Sequence, residues 1–392
     1  MANQERTIST PEFISGNALQ IATYQVLQQD GSIIPGAVVP ELDQAEAGKI
    51  YRAMVFTRVL DERMLAAQRQ GRVSFYLQST GEEATTVGFA AALDDADMIM
   101  AQYREQGALA YRGFTADEFM NQLFGNDLDY GKGRQMPIHY GARDLHYMTI
   151  SSPLATQIPQ ATGYAYGQKL AGDKRCTVTV FGEGAASEGD FHAALNMASV
   201  LRVPVIFLCR NNGYAISTPS SEQFAADGVA PRAVGYAMQA IRVDGNDVLA
   251  VIKAMQEARK IAVEHNEPVL VEAMSYRLAA HSSSDDPSGY RNKAEEDKWR
   301  AKDPILRLKN WLLSQGWWSE EQEKALYEEL RQQVLEAMKR AQQRPPPPLD
   351  AMITDVYDRP TPLLQSQLEA LRAHVGKYPE AYPKSAGGAK HG

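Results

Sequence analysis

The sequence predicts an α/β protein with a doubly wound, mostly parallel sheet flanked by helices. Three observations predict it. Short apolar runs rich in β-branched residues, Cys176 to Phe181, Val203 to Leu208 and Val269 to Met274, read as strands buried on both faces. Helical stripes lie between them. Phe191, Ala194, Leu195, Ala198 and Leu201 share one helical face; Val248, Val251, Ile252, Met255 and Ala258 share another, capped by Asn246 or Asp247. Finally, the acid Glu183 leaves the first strand and the tandem Asn211, Asn212 leaves the second, with 29 residues from Glu183 to Asn212. A right-handed βαβ crossover of that length brings both loops to the carboxyl edge of neighbouring parallel strands. Phosphate-bearing ligands bind at that edge in open α/β sheets.

The remaining elements follow in chain order. Residues 1–42 read as an extended arm punctuated by Asp30-Gly31, Pro35-Gly36 and Pro40. A helix is predicted from about 43 to 70, ended by Gly71. Gly81-Glu82-Glu83 opens a small-residue helix to about Leu93, and the polar stretch Ala101 to Gly107 reads as a loop. Thr115 is placed to cap a further helix, and Gly125 to Arg143 is a long glycine-rich loop of the kind that often carries function. Ser319 to Arg344 predicts a charged helix stopped by the prolines at 345–348, and a C-terminal extension ends in a flexible tail. The expected division is an arm (1–42), an α/β domain (43–300) and a helical extension with tail (301–392).

Composition narrows the function classes. The chain has 392 residues with 44% hydrophobic and 22% charged, an ordinary globular balance. A net charge of −8 speaks against nucleic acid or an anionic membrane as the main partner. The two cysteines, Cys176 and Cys209, fall in or beside predicted strands and read as buried thiols. No apolar run approaches the roughly 20 residues of a membrane span. The start, MANQERTISTPEF, lacks the apolar core of a signal peptide. The expected location is cytoplasmic, or the mitochondrial matrix in a eukaryote.

The run from Phe181 to Pro219 carries the chemistry. Gly182, Gly184 and Ser187 break a dinucleotide fingerprint at its third glycine, and no Gly-Lys-Ser/Thr P-loop is present there. A carboxylate and an amide beside a helix N-terminus suit Mg²⁺ held on a diphosphate. Taken singly, Glu183 equally fits charge pairing at a helix end, and Asn211-Asn212 fits a turn.

The glycine–acid–glycine…Asn-Asn pattern resembles the motif of thiamine diphosphate enzymes, with Glu183 where most members carry Asp. From about Tyr24 to Tyr382 the chain resembles the α subunit of the decarboxylating component of branched-chain 2-oxo acid dehydrogenase complexes. GEGAASEGD, NNGYAISTP, SSPLATQIPQ, YRLAAHSSSDD and LLSQGWW carry the likeness. The resemblance implies a thiamine diphosphate-binding fold, with Mg²⁺ held by Glu183, Asn212 and the Tyr214 carbonyl. It implies diphosphate contacts from Arg104, Arg210 and His281, and from the backbone of Gly184 and Ala185. Ser152, Leu154 and Ile216 are implied at the cofactor, with Tyr103 and His281 facing the substrate. Ser151, Pro153, Thr156 and Gln157 resemble a structural K⁺ site. From the residues alone, Arg104 also fits an exposed charge, Tyr103 a half-buried loop aromatic, SSPLATQ a Ser-Pro turn, and His281 a solvated loop residue. The family's loop usually has a second His where Ala280 stands here, and Ser282 matches a serine phosphorylated in animal relatives.

The resemblance also implies partners. No pyrimidine-binding domain is recognisable in the chain, and in this family that domain lies on a β subunit. The expectations are therefore an α₂β₂ heterotetramer, a branched-chain 2-oxo acid substrate and a lipoyl-bearing acyltransferase component. A pyruvate or acetoin version of the same subunit, and a non-catalytic scaffold that kept the fold, are the alternatives.

Overall fold

The computed structural model describes residues 9–382 apart from 14, 17, 18 and 283. The predicted arm begins outside the described residues, and the predicted flexible tail lies wholly outside them. Eight strands are described. Six of them, β1 (Thr23–Tyr24), β2 (Met98–Met100), β3 (Thr177–Gly182), β4 (Val205–Asn211), β7 (Gln239–Asp244) and β8 (Val269–Met274), form one parallel sheet in the order β1-β7-β8-β4-β3-β2. The other two, β5 (Tyr214–Ala215) and β6 (Thr218–Pro219), form a small antiparallel hairpin just beyond β4.

The helices in chain order are α1 (Gln44–Arg69), α2 (Glu83–Ala91), α3 (Gln106–Tyr111), α4 (Ala116–Phe124), α5 (Gln157–Ala171), α6 (Gly189–Leu201), α7 (Ser220–Gln223), α8 (Val248–His265), α9 (Lys293–Arg300), α10 (Pro304–Ser314), α11 (Glu320–Gln342), α12 (Ala351–Thr354) and α13 (Pro362–Lys377). The connection β3-α6-β4 steps one way across the sheet and β7-α8-β8 steps the other. Right-handed crossovers running in opposite directions put their helices on opposite faces. Accordingly α6 packs with α5, and α8 packs with α2. Two cores result. One joins α1, α2, α8, α10 and α11 to the sheet; the other lies around Phe181, Phe191, Leu195 and Phe207. The strand order reverses between β4 and β8, so a crevice opens at their carboxyl ends.

Local chemistry explains the element ends. Asp43 and Glu46 form a capping box on α1; Gly71 takes φ +72° just past its end. Thr115 and Glu118 form a second box on α4, and Asp247 rather than Asn246 caps α8. Ser319 caps α11. Both cysteines are buried and free.

Several expectations need correction. Leu201 does not share the buried stripe of α6: it is 37% exposed, because α6 ends there as Arg202 turns left-handed. The polar loop from Ala101 is cut short, since Gln106 and Gly107 already belong to α3. Gly107 is needed there, for an added Cβ would meet the Thr86 hydroxyl of α2 at 2.4 Å. Strands β1, β2 and β7 and helix α5 have no counterpart among the predicted elements.

Candidate active site

Four of the loops that carry predicted site residues leave the carboxyl edge of the sheet: Tyr103 and Arg104 after β2, Glu183 after β3, Asn212 after β4 and His281 after β8; the segment with Ser151 to Thr156 instead leads into α5. They converge on a cavity of about 490 Å³, within the range of small-molecule sites. Tyr103, Ser151, Ser152, Leu154, Glu183, Gly184, Ala185, Arg210, Asn212, Tyr214, Ile216 and His281 line it. Arg104, Pro153, Thr156 and Gln157 do not line it.

Glu183 and Asn212 meet directly. The Asn212 backbone N–H donates to Glu183 Oε2 at 3.2 Å, while Glu183 Oε1 is buried without a partner. Burial pushes the Glu183 carboxyl up to about 7, against the pull of backbone N–H groups and Arg210. Asn212 Oδ1 accepts the Tyr214 N–H at 3.2 Å. Asn211 turns the other way: its amide donates to the buried Glu272 at 2.8 Å, so only the second asparagine serves the cavity. Gly184 lies so close to the hairpin that an added Cβ would sit 2.6 Å from Ala215 Cβ.

Arg210 is wholly buried. Its Nη1 donates to Glu82 at 2.6 Å and its Nε to Glu105 at 3.1 Å. Burial opposes its charge, and the two carboxylates outweigh that and hold it cationic. Arg104 is not an exposed charge; it is buried behind the wall and donates to the Gln78 and His281 carbonyls.

His281 Nδ1 faces two guanidinium groups, Arg277 Nη1 at 3.2 Å and Arg104 Nη2 at 3.4 Å. Burial and these cations lower the imidazole to about 4. A neutral ring that accepts at Nδ1 carries its proton on Nε2. His281 is thus a neutral donor. Arg277 also donates to the Ile216 carbonyl at 2.8 Å, steadying a β-branched residue at φ +58°.

On the opposite wall, Ser152 Oγ lies 2.7 Å from His139 Nε2, and His139 Nδ1 lies 3.1 Å from the Pro137 carbonyl. Thr156 Oγ1 donates to the Pro153 carbonyl at 3.0 Å and reaches Ser151 Oγ at 3.4 Å; the Gln157 amide is committed to the Val180 carbonyl of β3.

Sequence reading missed Glu82, Glu105, His139 and Arg277. Arg277 sits in the quoted YRLAAH run, which was a usable signal. Glu82 and Glu105 become neighbours of Arg210 only through folding, from 128 and 105 residues away.

The family model that matches is that of the dehydrogenase E1 component, over residues 51–350. The chain belongs to the dehydrogenase E1 component family. Among E1 relatives, the human mitochondrial 2-oxoisovalerate dehydrogenase subunit alpha is 50% identical over 374 residues, covering 95% of this chain and 84% of that protein. The Dictyostelium discoideum counterpart is 50% identical over 365 residues, 93% of this chain and 83% of its own length. Arabidopsis thaliana subunit alpha 1 is 48% identical, covering 93% and 77%. The E1 family is thiamine diphosphate-dependent. An α subunit of an E1 component works with a β subunit.

Proposed function

We propose that this chain is the α subunit of a 3-methyl-2-oxobutanoate dehydrogenase, the decarboxylating component of a branched-chain 2-oxo acid dehydrogenase complex. With its β partner in an α₂β₂ assembly it oxidatively decarboxylates branched 2-oxo acids and passes the acyl group to the lipoyl carrier of the acyltransferase component. One observation carries the reading. An unpartnered buried carboxylate oxygen, Glu183 Oε1, lies beside the Asn212 amide at the carboxyl edge of a parallel sheet, in a chain half identical to subunits named for that activity.

The residues fit Mg²⁺ on a diphosphate. Glu183, Asn212 Oδ1 and the Tyr214 carbonyl would supply hard oxygen ligands. Gly184 and Ala185 would offer backbone N–H groups to the phosphates. When bound, thiamine diphosphate supplies the nucleophilic carbon and the electron sink for loss of CO₂. Arg210 meets the diphosphate charge, and Arg104 adds positive potential from behind. His281 would present its Nε2–H to a diphosphate or substrate oxygen as a neutral hydrogen-bond donor. Tyr103 flanks the substrate side. Ser152, Leu154 and Ile216 would hold the ring portion of the cofactor, with Leu154 giving that side of the cavity a bulky apolar wall. Ser151, Pro153, Thr156 and Gln157 would hold K⁺ through hydroxyl, carbonyl and amide oxygens and so stiffen this wall.

The need for a partner is supported by the rim. Leu154 and Ile216 line the cavity yet are 47% and 54% exposed. The β subunit covers them, excludes water and brings the acid that the pyrimidine ring requires.

The test uses the chain purified with its partner, following dye-linked decarboxylation of 3-methyl-2-oxobutanoate against pyruvate with and without thiamine diphosphate and Mg²⁺. Cofactor-dependent preference for the branched acid is expected. Preference for pyruvate would overturn the substrate assignment, and turnover by the single chain would overturn the shared site.

A further inference from the structure

Glu82 is a buried acid that the proposed chemistry does not use. It stands at the N-cap position of α2 yet makes no side-chain cap. Its carboxylate reaches across the sheet edge instead. Oε1 accepts from Arg210 Nη1 at 2.6 Å, from Asn212 Nδ2 at 3.2 Å and from Ser275 Oγ at 3.4 Å, while Oε2 has no partner. Burial opposes its ionisation, but Arg210 and Arg104 bring it below the usual carboxylate range.

An amide facing a carboxylate must present its NH₂, since two oxygens would repel. That leaves Asn212 Oδ1 as the atom available on the cavity side. We propose that Glu82 is the positioning residue of the metal–diphosphate site: a single buried acceptor fixes the orientation of the Asn212 amide and of one arm of Arg210. The inference rests on the proposed reading of that site. Glu82 lies behind both groups and is itself no ligand.

A positioning role and a background-charge role predict different patterns across two substitutions. Glu82→Leu and Glu82→Gln both remove the negative charge, so charge alone would weaken Mn²⁺ binding equally in the two. Removing the acceptor that orients a metal ligand should weaken it, by about 10–100-fold.

The experiment titrates Mn²⁺, read by electron paramagnetic resonance, into the partner-bound protein holding thiamine diphosphate, with thermal unfolding in parallel. Glu82→Leu removes the acceptor and is expected to weaken metal binding about 10–100-fold. Glu82→Gln keeps an oxygen at the Oε1 position and is expected to bind within about threefold of the unsubstituted protein. Equal effects of the two variants, or tighter binding by Glu82→Leu, would overturn the proposal.

Should Glu82→Leu fail to fold, a second pair decides. Asn212→Asp sets two carboxylates face to face and is expected to weaken metal binding despite its added charge. Combining it with Glu82→Gln restores a donor opposite an acceptor and should recover binding to within about tenfold of the unsubstituted protein. Asn212→Asp binding more tightly, or no recovery in the pair, would overturn the proposal. Failure of the unsubstituted protein to bind Mn²⁺ with thiamine diphosphate would instead strike the proposed site, and the inference with it.

Discussion

Gly184→Ala is the smallest change that should damage this site. Gly184 has helical backbone angles, φ −63° and ψ −42°, so alanine brings no backbone strain there. Its cost is contact. The new Cβ would lie 2.6 Å from Ala215 Cβ, with Ala215 Cα at 3.5 Å and Gln223 Oε1 at 3.6 Å behind it. Ordinary carbon contact near 3.6 Å requires roughly 1 Å of separation. The β5–β6 hairpin must move by that amount, carrying the Tyr214 carbonyl with it, or the turn after β3 must move and carry Glu183. Overpacking of this kind costs about 1–3 kcal/mol in stability. A displacement of about 1 Å in a positioned site can cost on the order of 100-fold in function. Fluorescence titration of the partner-bound protein with thiamine diphosphate and Mg²⁺ should show about that loss of affinity. Ala215→Gly removes the opposing methyl, so the double variant should return to within about threefold of the unsubstituted protein. Unchanged affinity in Gly184→Ala, or no rescue by Ala215→Gly, would refute the reasoning.

Three further outcomes are expected. Glu183 is held at about 7 by burial against 4.5 when exposed, so the folded, metal-free protein keeps its proton while the unfolded chain releases it. Stability from this group is therefore lost as pH rises from 4.5 to 7, by about 3 kcal/mol. Thermal unfolding of Glu183→Gln without metal should lack that decline, and a parallel decline would contradict it. His281, lowered to about 4, should show no titration in its nuclear magnetic resonance signals between pH 5.5 and 8 and should carry its proton on Nε2; a midpoint near 6.5 would remove the role given to Arg104 and Arg277. Thr115→Ala deletes the capping box on α4, and urea unfolding should register about 1 kcal/mol with cofactor affinity unchanged.

The amino-acid sequence by itself determined the parallel fold and the two ends of the proposed metal motif. Strand runs from Val269 to Met274, the stripe on α8, the cap Thr115, and the interval from Glu183 to Asn212 depend on local periodicity and chain length, which a linear string records. Strand β7 was not legible because Arg242 and Asp244 make it look polar; both are buried in ion pairs with Glu272, Asp227 and Arg307, which lie elsewhere in the sequence. Helix α5 was hidden by Gly163 and Gly167, and packing against α6 overrides that weak propensity. The site divides the same way. Residue types at the motif pointed to the proposed metal and diphosphate, but the tertiary structure alone decided which asparagine faces the cavity, that His281 is neutral, and that Arg104 and Arg210 are buried. Those properties arise from burial and from partners remote in sequence, Glu82 and Glu105 for Arg210 and Arg104 for His281, which only folding brings within reach.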